Sequence, residues 1–522
     1  MKNTAQAYDC LAPKKRVGAR LSLKWLILGH CAKSFPMNFF RHRPFLSLFL
    51  LASLLGLAFM GSRSLFEPDE GRYTNVALNI ADSGEWISLH RHPESLHFTK
   101  PPLTYWTIAA SVKTFGFNTW AVRLPIALAY IFSVLMIFRL GKVFCREKPW
   151  LPALIFATSP FPFLAGNYIS TDFILAVCET LAVLCFTQYA FLKKSKFWMD
   201  AMWAGFGLAF LAKGPPSLLP LMAIIFLLWQ QKDLKALLRP IGFLAFALIG
   251  LAWYGIVIQR HPGLLDYFIG HEVVARLADE NMQRSPEWYG PFKVYLPVFL
   301  LGALPWLIMA GGGMASNLKS WSSQTSEQRF LWWWLLLPLV IFSLSRSRMP
   351  LYVLPLFTPF ALLLGQALSK FEFNTRKAAW LVVWIVVLLG MRLGLSSYNH
   401  KKDPEVFAQK ILAFTKTPPR EIIFVEDMTR YGLHLYLGSQ INKVSFKPQT
   451  KTISDSQFDM TLSQALDQKP GKRIFVFKRE NEQYFKNAMT EKNIDPVFLG
   501  TIPDRKGPTS QDRLVYTIPG EF

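Results

Sequence analysis

The chain has 522 residues, 52% hydrophobic and 17% charged, with 44 Phe, 17 Trp and a formal net charge of +23. So apolar a composition excludes an ordinary soluble domain, in which about a quarter of residues are charged, and indicates a polytopic α-helical membrane protein. The positive charge does not require nucleic acid as a partner, because basic residues in membrane proteins are explained first by cytoplasmic loops. The cysteines (Cys10, Cys31, Cys145, Cys178 and Cys185) have no CxxC or metal-ligand spacing, so no disulfide framework is expected.

Residues 1–43 are basic, with Lys14, Lys15, Arg16, Arg20, Lys24, Arg41 and Arg43, and read as a cytoplasmic N-terminal segment. The stretch is long, and no small-residue cleavage site follows before Glu67, which argues against a signal peptide; Met37 is a candidate start. Apolar runs then predict about eleven spans. They cover 44–62, 123–144, 150–167, 172–192, 198–212, 215–230, 239–259, 292–313, 330–345, 351–369 and 378–395.

With the N-terminus inside, the inner loops hold Arg146 and Lys148; Lys193, Lys194 and Lys196; Lys232, Lys235 and Arg239; and Lys370, Arg376 and Lys377. This is the bias of the positive-inside rule. Segments 63–122 and 260–291 become long outer-face loops, and long loops tend to carry function. The tail, 396–522, falls on the same side. There "DPEVFAQKILAFTK" and "NEQYFKNAMTEKNI" read as helices, and "REIIFVED" and "KRIFVFKR" as strands. Such alternation predicts a small soluble α/β domain.

Isolated ionisable residues gather at the outer ends of these spans: Asp69, Glu70 and Arg72; Lys100; Asp172; Lys213; His271 and Arg276; Arg346 and Arg348, with Tyr352 beyond. Singly, each has an ordinary explanation. Lysines snorkel to water, an acid in a first helical turn favours the helix dipole, arginines anchor interfaces, and Glu70 with Arg72 could form a weak surface pair. Together they are harder to dismiss, because the topology rests on other residues and still puts them all on one face. Acids beside cations at a membrane surface suit an anionic substrate. Arg and Lys hold phosphate oxygens, and a carboxylate activates or orients an acceptor.

Five segments, "FEPDEGRY", "TKPPLTYW", "RLPIAL", "LAKGP" and "SLSRSRMPLYVLP", occur in order over roughly residues 44–395. In them the chain resembles the bacterial GT-C glycosyltransferases of the protein O-mannosyltransferase superfamily, among them the lipid A 4-amino-4-deoxy-L-arabinose transferases. The resemblance implies a multi-pass enzyme of the bacterial inner membrane with a periplasmic catalytic face. Such an enzyme moves a sugar from a polyprenyl-phosphate donor to an envelope lipid or protein acceptor, such as lipid A. It implies Asp69, Asp172 and Lys100 as catalytic residues and Arg276, Tyr352, Arg346 and Arg348 as ligands of the donor phosphate. Glu70, Arg72, Lys213 and His271 take supporting places.

Two departures stand out. Thr99 precedes the lysine of "KPP" where the aminoarabinose enzymes commonly have a glutamate that takes part in a metal site, which argues against a divalent metal here. "SLSRSR" carries arginines where lysines are more usual. No soluble cofactor is expected. The rival readings are a protein O-glycosyltransferase of the same fold and a transporter or flippase of a lipid-linked sugar. The latter expects charges and helix breaks near the midplane.

Overall fold

The computed structural model describes residues 42–270, 284–314, 323–370, 372, 374–397, 403–448, 458–468, 471–504 and 508–522. Helix α1 (Pro44–Leu57) opens with a proline at its first position, where the missing N–H is not needed. Segment 63–122 is an ordered, largely buried structure rather than an open loop. It holds α2 (Asp69–Ser83), a hairpin of β1 (His90–His92) and β2 (Ser95–Leu96), and α3 (Leu103–Phe115). Val76, Ala77 and Ile80 of α2 share a core with Tyr105, Ile108 and Ala109 of α3. Helix α2 ends at Gly84, whose φ of 74° is the left-handed cap that glycine adopts without strain.

The next helix, α4 (Thr119–Phe144), starts ahead of its apolar run because the Asn118 side chain accepts from Ala121 N. Arg123 therefore lies inside the first turns. The expected span 150–167 is split into α5 (Trp150–Thr158) and α6 (Pro160–Ala165), since Pro160 cannot donate the next helical hydrogen bond. Then come α7 (Thr171–Ala190), α8 (Phe197–Lys213), α9 (Leu219–Gln230), α10 (Pro240–Phe246), α11 (Ala252–Arg260) and α12 (Leu264–Asp266). They are followed by α13 (Gly290–Gly302), α14 (Trp306–Ala310), α15 (Ser326–Leu344), α16 (Phe357–Ala367) and α17 (Thr375–Ser396).

Among the described residues, five helical stretches are long and apolar enough to cross a membrane: Thr119–Phe144, Thr171–Ala190, Pro240–Arg260, Pro350–Ala367 and Thr375–Ser396. Others of the expected spans are shorter or broken, as at Pro160 and between α13 and α14. The apolar windows of α4 and α7 are 72% buried and that of α17 only 11%. The first two form the bundle core, and α17 offers its surface to lipid.

Helix ends sort onto two faces. At one, Lys148 Nζ donates to Ser369 O and Tyr189 OH to Asp233. At the other, Thr119 bonds Gly61 O, Arg63 bonds Asn167 O, and Asp172 meets Lys213.

The C-terminal part folds as α18 (Pro404–Thr415), β3 (Glu421–Val425), α19 (Leu433–Leu437), β4 (Gln440–Ser445), β5 (Met460–Thr461), α20 (Leu462–Leu466), β6 (Arg473–Lys478), α21 (Glu482–Glu491), β7 (Val497–Ile502) and β8 (Arg513–Thr517). Its six strands make one sheet in the order β5-β4-β3-β6-β8-β7. Strands β3 to β6 pair in parallel, and β8 and β7 run antiparallel. Ile422, Phe424 and Ile474 face α18 on one side, while Ile423, Phe475 and Phe477 face α21 on the other. A strand covered on both faces reads as a continuous apolar run, as "IIFV" and "IFVF" do. This unit packs directly on segment 63–96. Arg91 forms a buried ion pair with Asp459 at 2.6 Å, and the His434 ring meets Asn75 of α2 at 2.8 Å. The two regions therefore lie at the same end of the bundle.

Candidate functional site: a charged surface at one end of the bundle

Two consecutive acids open α2 in opposite surroundings. Glu70 is fully buried, and its carboxylate accepts two hydrogen bonds from Arg63 and two from Arg123. Backbone N–H groups of Phe66 and Ile169 complete the shell. Burial by itself would raise this carboxyl's pKa, but the Arg123 and Arg63 guanidiniums outweigh it and hold it at about 2. Glu70 is therefore a permanent anion that joins the loop before α2 to α4 and to the turn before α7. It does not pair with Arg72, so the weak surface pair is corrected: charge of this kind is buried only when fully paired.

Asp69 points the other way. Its side chain is 32% exposed and pairs with Arg72 at 2.8 Å. Tyr73 lies buried beside them, with Arg72, Asp172 and Asp69 around it. Burial pushes the Tyr73 hydroxyl up to about 12, so it stays a proton donor. The ring of Tyr105 packs against Tyr73 at 5.7 Å, and its hydroxyl meets His97 Nε2 at 3.0 Å. Burial first, then Arg72, Arg91 and Lys100, keeps His97 neutral, well below the usual imidazole range. Lys100 donates to Thr99 O at 2.9 Å and borders this cluster through His97.

On the other wall, Ser170 caps α7 and Asp172 stands in its first turn. Its carboxylate forms an ion pair with Lys213, the last residue of α8. Lys213 Nζ also sits 4.4 Å from the centre of the Tyr352 ring, a cation–π contact. Thus Asp69, Arg72, Lys100, Asp172, Lys213 and Tyr352 belong to one neighbourhood, assembled from α2, the stretch between the hairpin and α3, α7, α8 and the turn before α16.

Other expected residues fall elsewhere. Arg348 is buried, and its guanidinium donates to the backbone carbonyls of Ser285, Glu287 and Ser343. The reading of Arg348 as an open phosphate ligand is therefore corrected: its donors tie the segment after residue 283 to the end of α15. Arg346 is exposed. Arg276 and His271 lie outside the described residues.

Sequence reasoning missed Arg63, Arg123 and Glu179. Glu179 lies buried within α7, on the side of Asp172 and Lys213. An acid inside an apolar run is itself a signal, and "VCETLAV" shows it. Among the described residues no cluster of His, Cys, Asp and Glu has the makings of a metal site. A cavity of about 380 Å³, lined by Arg146, Lys148, Glu327 and Gln328, lies at the opposite end of the bundle, away from these groups.

Residues 99–257 match the family described as dolichyl-phosphate-mannose-protein mannosyltransferase. The chain is 34% identical over 363 residues to undecaprenyl phosphate-alpha-4-amino-4-deoxy-L-arabinose arabinosyl transferase 2 of Pseudomonas fluorescens (strain Pf0-1), covering 66% of this chain and 63% of the relative. It is 31% identical over 329 residues to the Yersinia enterocolitica undecaprenyl phosphate-alpha-4-amino-4-deoxy-L-arabinose arabinosyl transferase, covering 61% and 58%. The matches thus span 63% and 58% of the length of these curated relatives.

Among solved structures, ArnT from Cupriavidus metallidurans bound to undecaprenyl phosphate superposes with a TM-score of 0.70 at 18% identity, covering 96% of this chain and 99% of that one. Its apo form gives 0.67 at 17% identity, covering 95% and 98%. The chain is a membrane protein with the fold of these ArnT structures, and its residues 99–257 are similar to the dolichyl-phosphate-mannose-protein mannosyltransferase family.

Proposed function

We propose that the chain is an inverting glycosyltransferase of the bacterial inner membrane. It moves a sugar, in the first instance 4-amino-4-deoxy-L-arabinose, from a polyprenyl-phosphate donor to an envelope acceptor such as lipid A. The reading keeps about eleven membrane crossings, with segment 63–122 and the C-terminal unit in the periplasm. Its support is the joint placement of Asp69–Arg72 and Asp172–Lys213–Tyr352, an exposed and a buried acid–cation pair, at one end of the bundle. The curated relatives are named for a sugar and a lipid-phosphate carrier that such a surface suits.

In the step, the bond from the anomeric carbon to the donor phosphate oxygen breaks, and its electron pair stays on the phosphate. Lys213, Lys100 and Arg72, with Arg276 and Arg346 as further candidates, stabilise that charge as it develops. An acceptor oxygen attacks from the opposite face. If it is a hydroxyl, Asp69 takes its proton. If it is a phosphate, it is already ionised at neutral pH and Asp69 orients Arg72 or the amino sugar instead. Asp172 fixes Lys213, and Glu70 holds the frame.

Purified protein supplied with radiolabelled undecaprenyl-phosphate aminoarabinose and lipid A tests this. Transfer by the parent and its loss in Asp69→Asn and Lys100→Ala are expected. Full transfer by both variants would overturn the assignment.

A further inference from the structure

The C-terminal unit meets the segment that carries the candidate site at Glu67, two residues before Asp69. The Glu67 carboxyl is buried in a slot between two glycines. A Cβ on Gly71 of α2 would overlap both carboxylate oxygens. A Cβ on Gly432, in the turn before α19, would come within 2.8 Å of Oε1 and 2.9 Å of Pro404. The Gly432 N–H donates to Oε1, and Oε2 is buried with no hydrogen-bond partner.

This turn and α19 make further contacts. Tyr436 OH accepts from Leu65 N and lies 3.1 Å from Ser64 Oγ. His434 meets Asn75 and Asp82, on α2 itself. Tyr431 lies near Arg72 and Arg91. The charged groups facing Glu67 are Arg430 from this turn and Glu70 and Arg72 from α2. The segment that delivers Asp69 is thus gripped from one side by the Arg63–Glu70–Arg123 knot and from the other by the C-terminal unit.

We propose that Glu67 is a positioning residue. Clamped between Gly71 and Gly432, it lets the C-terminal unit set the placement of Asp69 and Arg72 against the donor. This rests on the role proposed for Asp69. A carboxyl shaped into a slot where no Cβ fits on either wall carries a geometric constraint across the junction. Displacing a reacting group by about 1 Å costs on the order of a hundredfold in rate.

The test measures kcat and donor KM of the full-length protein in detergent, with the same radiolabelled donor and lipid A. Glu67→Ala and Gly432→Ala are expected to lower kcat about tenfold or more while donor KM stays within about twofold. Glu67→Gln, which keeps the acceptor oxygen and the volume, is expected to restore most of kcat. Wild-type kcat in both alanine variants, with Asp69→Asn inactive, would overturn the positioning role alone. Full activity in Asp69→Asn would instead remove the catalytic reading on which it rests.

Should the alanine variants not fold, the pH profiles of parent and Glu67→Gln decide. Burial, against the opposing Gly432 N–H and Arg430, raises this carboxyl to about 8. The parent should therefore lose kcat as pH rises through that value, and Glu67→Gln should not. Identical profiles would overturn the proposal.

Discussion

Asp69 and Glu70 are neighbours in sequence but belong to two differently built regions. The knot around Glu70 is closed: each carboxylate oxygen is taken by arginine and backbone donors, and nothing in it reaches solvent. The surface around Asp69 is open: Asp69 holds a single cation, and parts of Asp69 and Arg72 are still exposed, while Asp172 nearby is buried with Lys213 as its cation. A saturated buried charge contributes by being unable to leave. A half-satisfied charge at the rim keeps hydrogen-bonding capacity for something that arrives. Charge at a membrane interface thus has two uses, and exposure together with partner number separates them.

The sharpest way to break this distinction is to exchange the consequences. Glu70→Ala leaves two guanidiniums buried without their anion and should cost about 3–5 kcal/mol. It should be read as a large fall in thermal unfolding temperature in detergent, with activity lost only because fold is lost. Asp69→Asn should leave that temperature within a degree or two of the parent's, yet lower transfer about a hundredfold or more. If the two variants behaved alike, the division into frame and working surface would fail.

Lys213→Ala comes next. It removes the partner of Asp172 and the cation over Tyr352, and should lower kcat/KM for the lipid-phosphate donor by about ten- to a hundredfold. Steady-state kinetics at fixed acceptor would register it. A stability loss larger than the kinetic loss would move Lys213 into the frame.

The pH dependence sharpens the contrast further. Glu70 is held at about 2 in the folded protein, against 4.5 for an unperturbed glutamate. The folded state therefore binds fewer protons there than the unfolded one. Its contribution to stability is complete above 4.5 and is lost as pH falls from there toward 2. Acid unfolding of the parent should steepen in that window, and Glu70→Gln should flatten it. Arg346→Ala should have the smallest effect. Exposed and outside the frame, it should change stability by under about 0.5 kcal/mol. It should show itself as a donor KM that rises more steeply with salt in the parent than in the variant.

Much of this was legible in the sequence because the membrane imposes one-dimensional rules. Apolar runs and basic loops sorted the helix ends onto two faces, and the ion pairs follow that sorting: Asp172 finds Lys213 at the same end of the next helix. The parallel strands "IIFV" and "IFVF" announced themselves by unbroken hydrophobicity. The helical order of 63–122 was not legible, since α2 has no apolar face long enough to register as a span. Its stability comes from contacts with α3 and with a unit more than three hundred residues away. Arg348 looked like Arg346 in the sequence; only the carbonyls of Ser285, Glu287 and Ser343 decided that it is a tie.

The sequence by itself therefore determined the class of protein and the end of the bundle at which its isolated charges gather. These depend on hydropathy and charge counted along the chain. The tertiary structure decided which of two adjacent acids is free to work and that the C-terminal unit closes a slot over Glu67. Those outcomes depend on desolvation and on partners from distant segments, and neither quantity exists until the chain has folded.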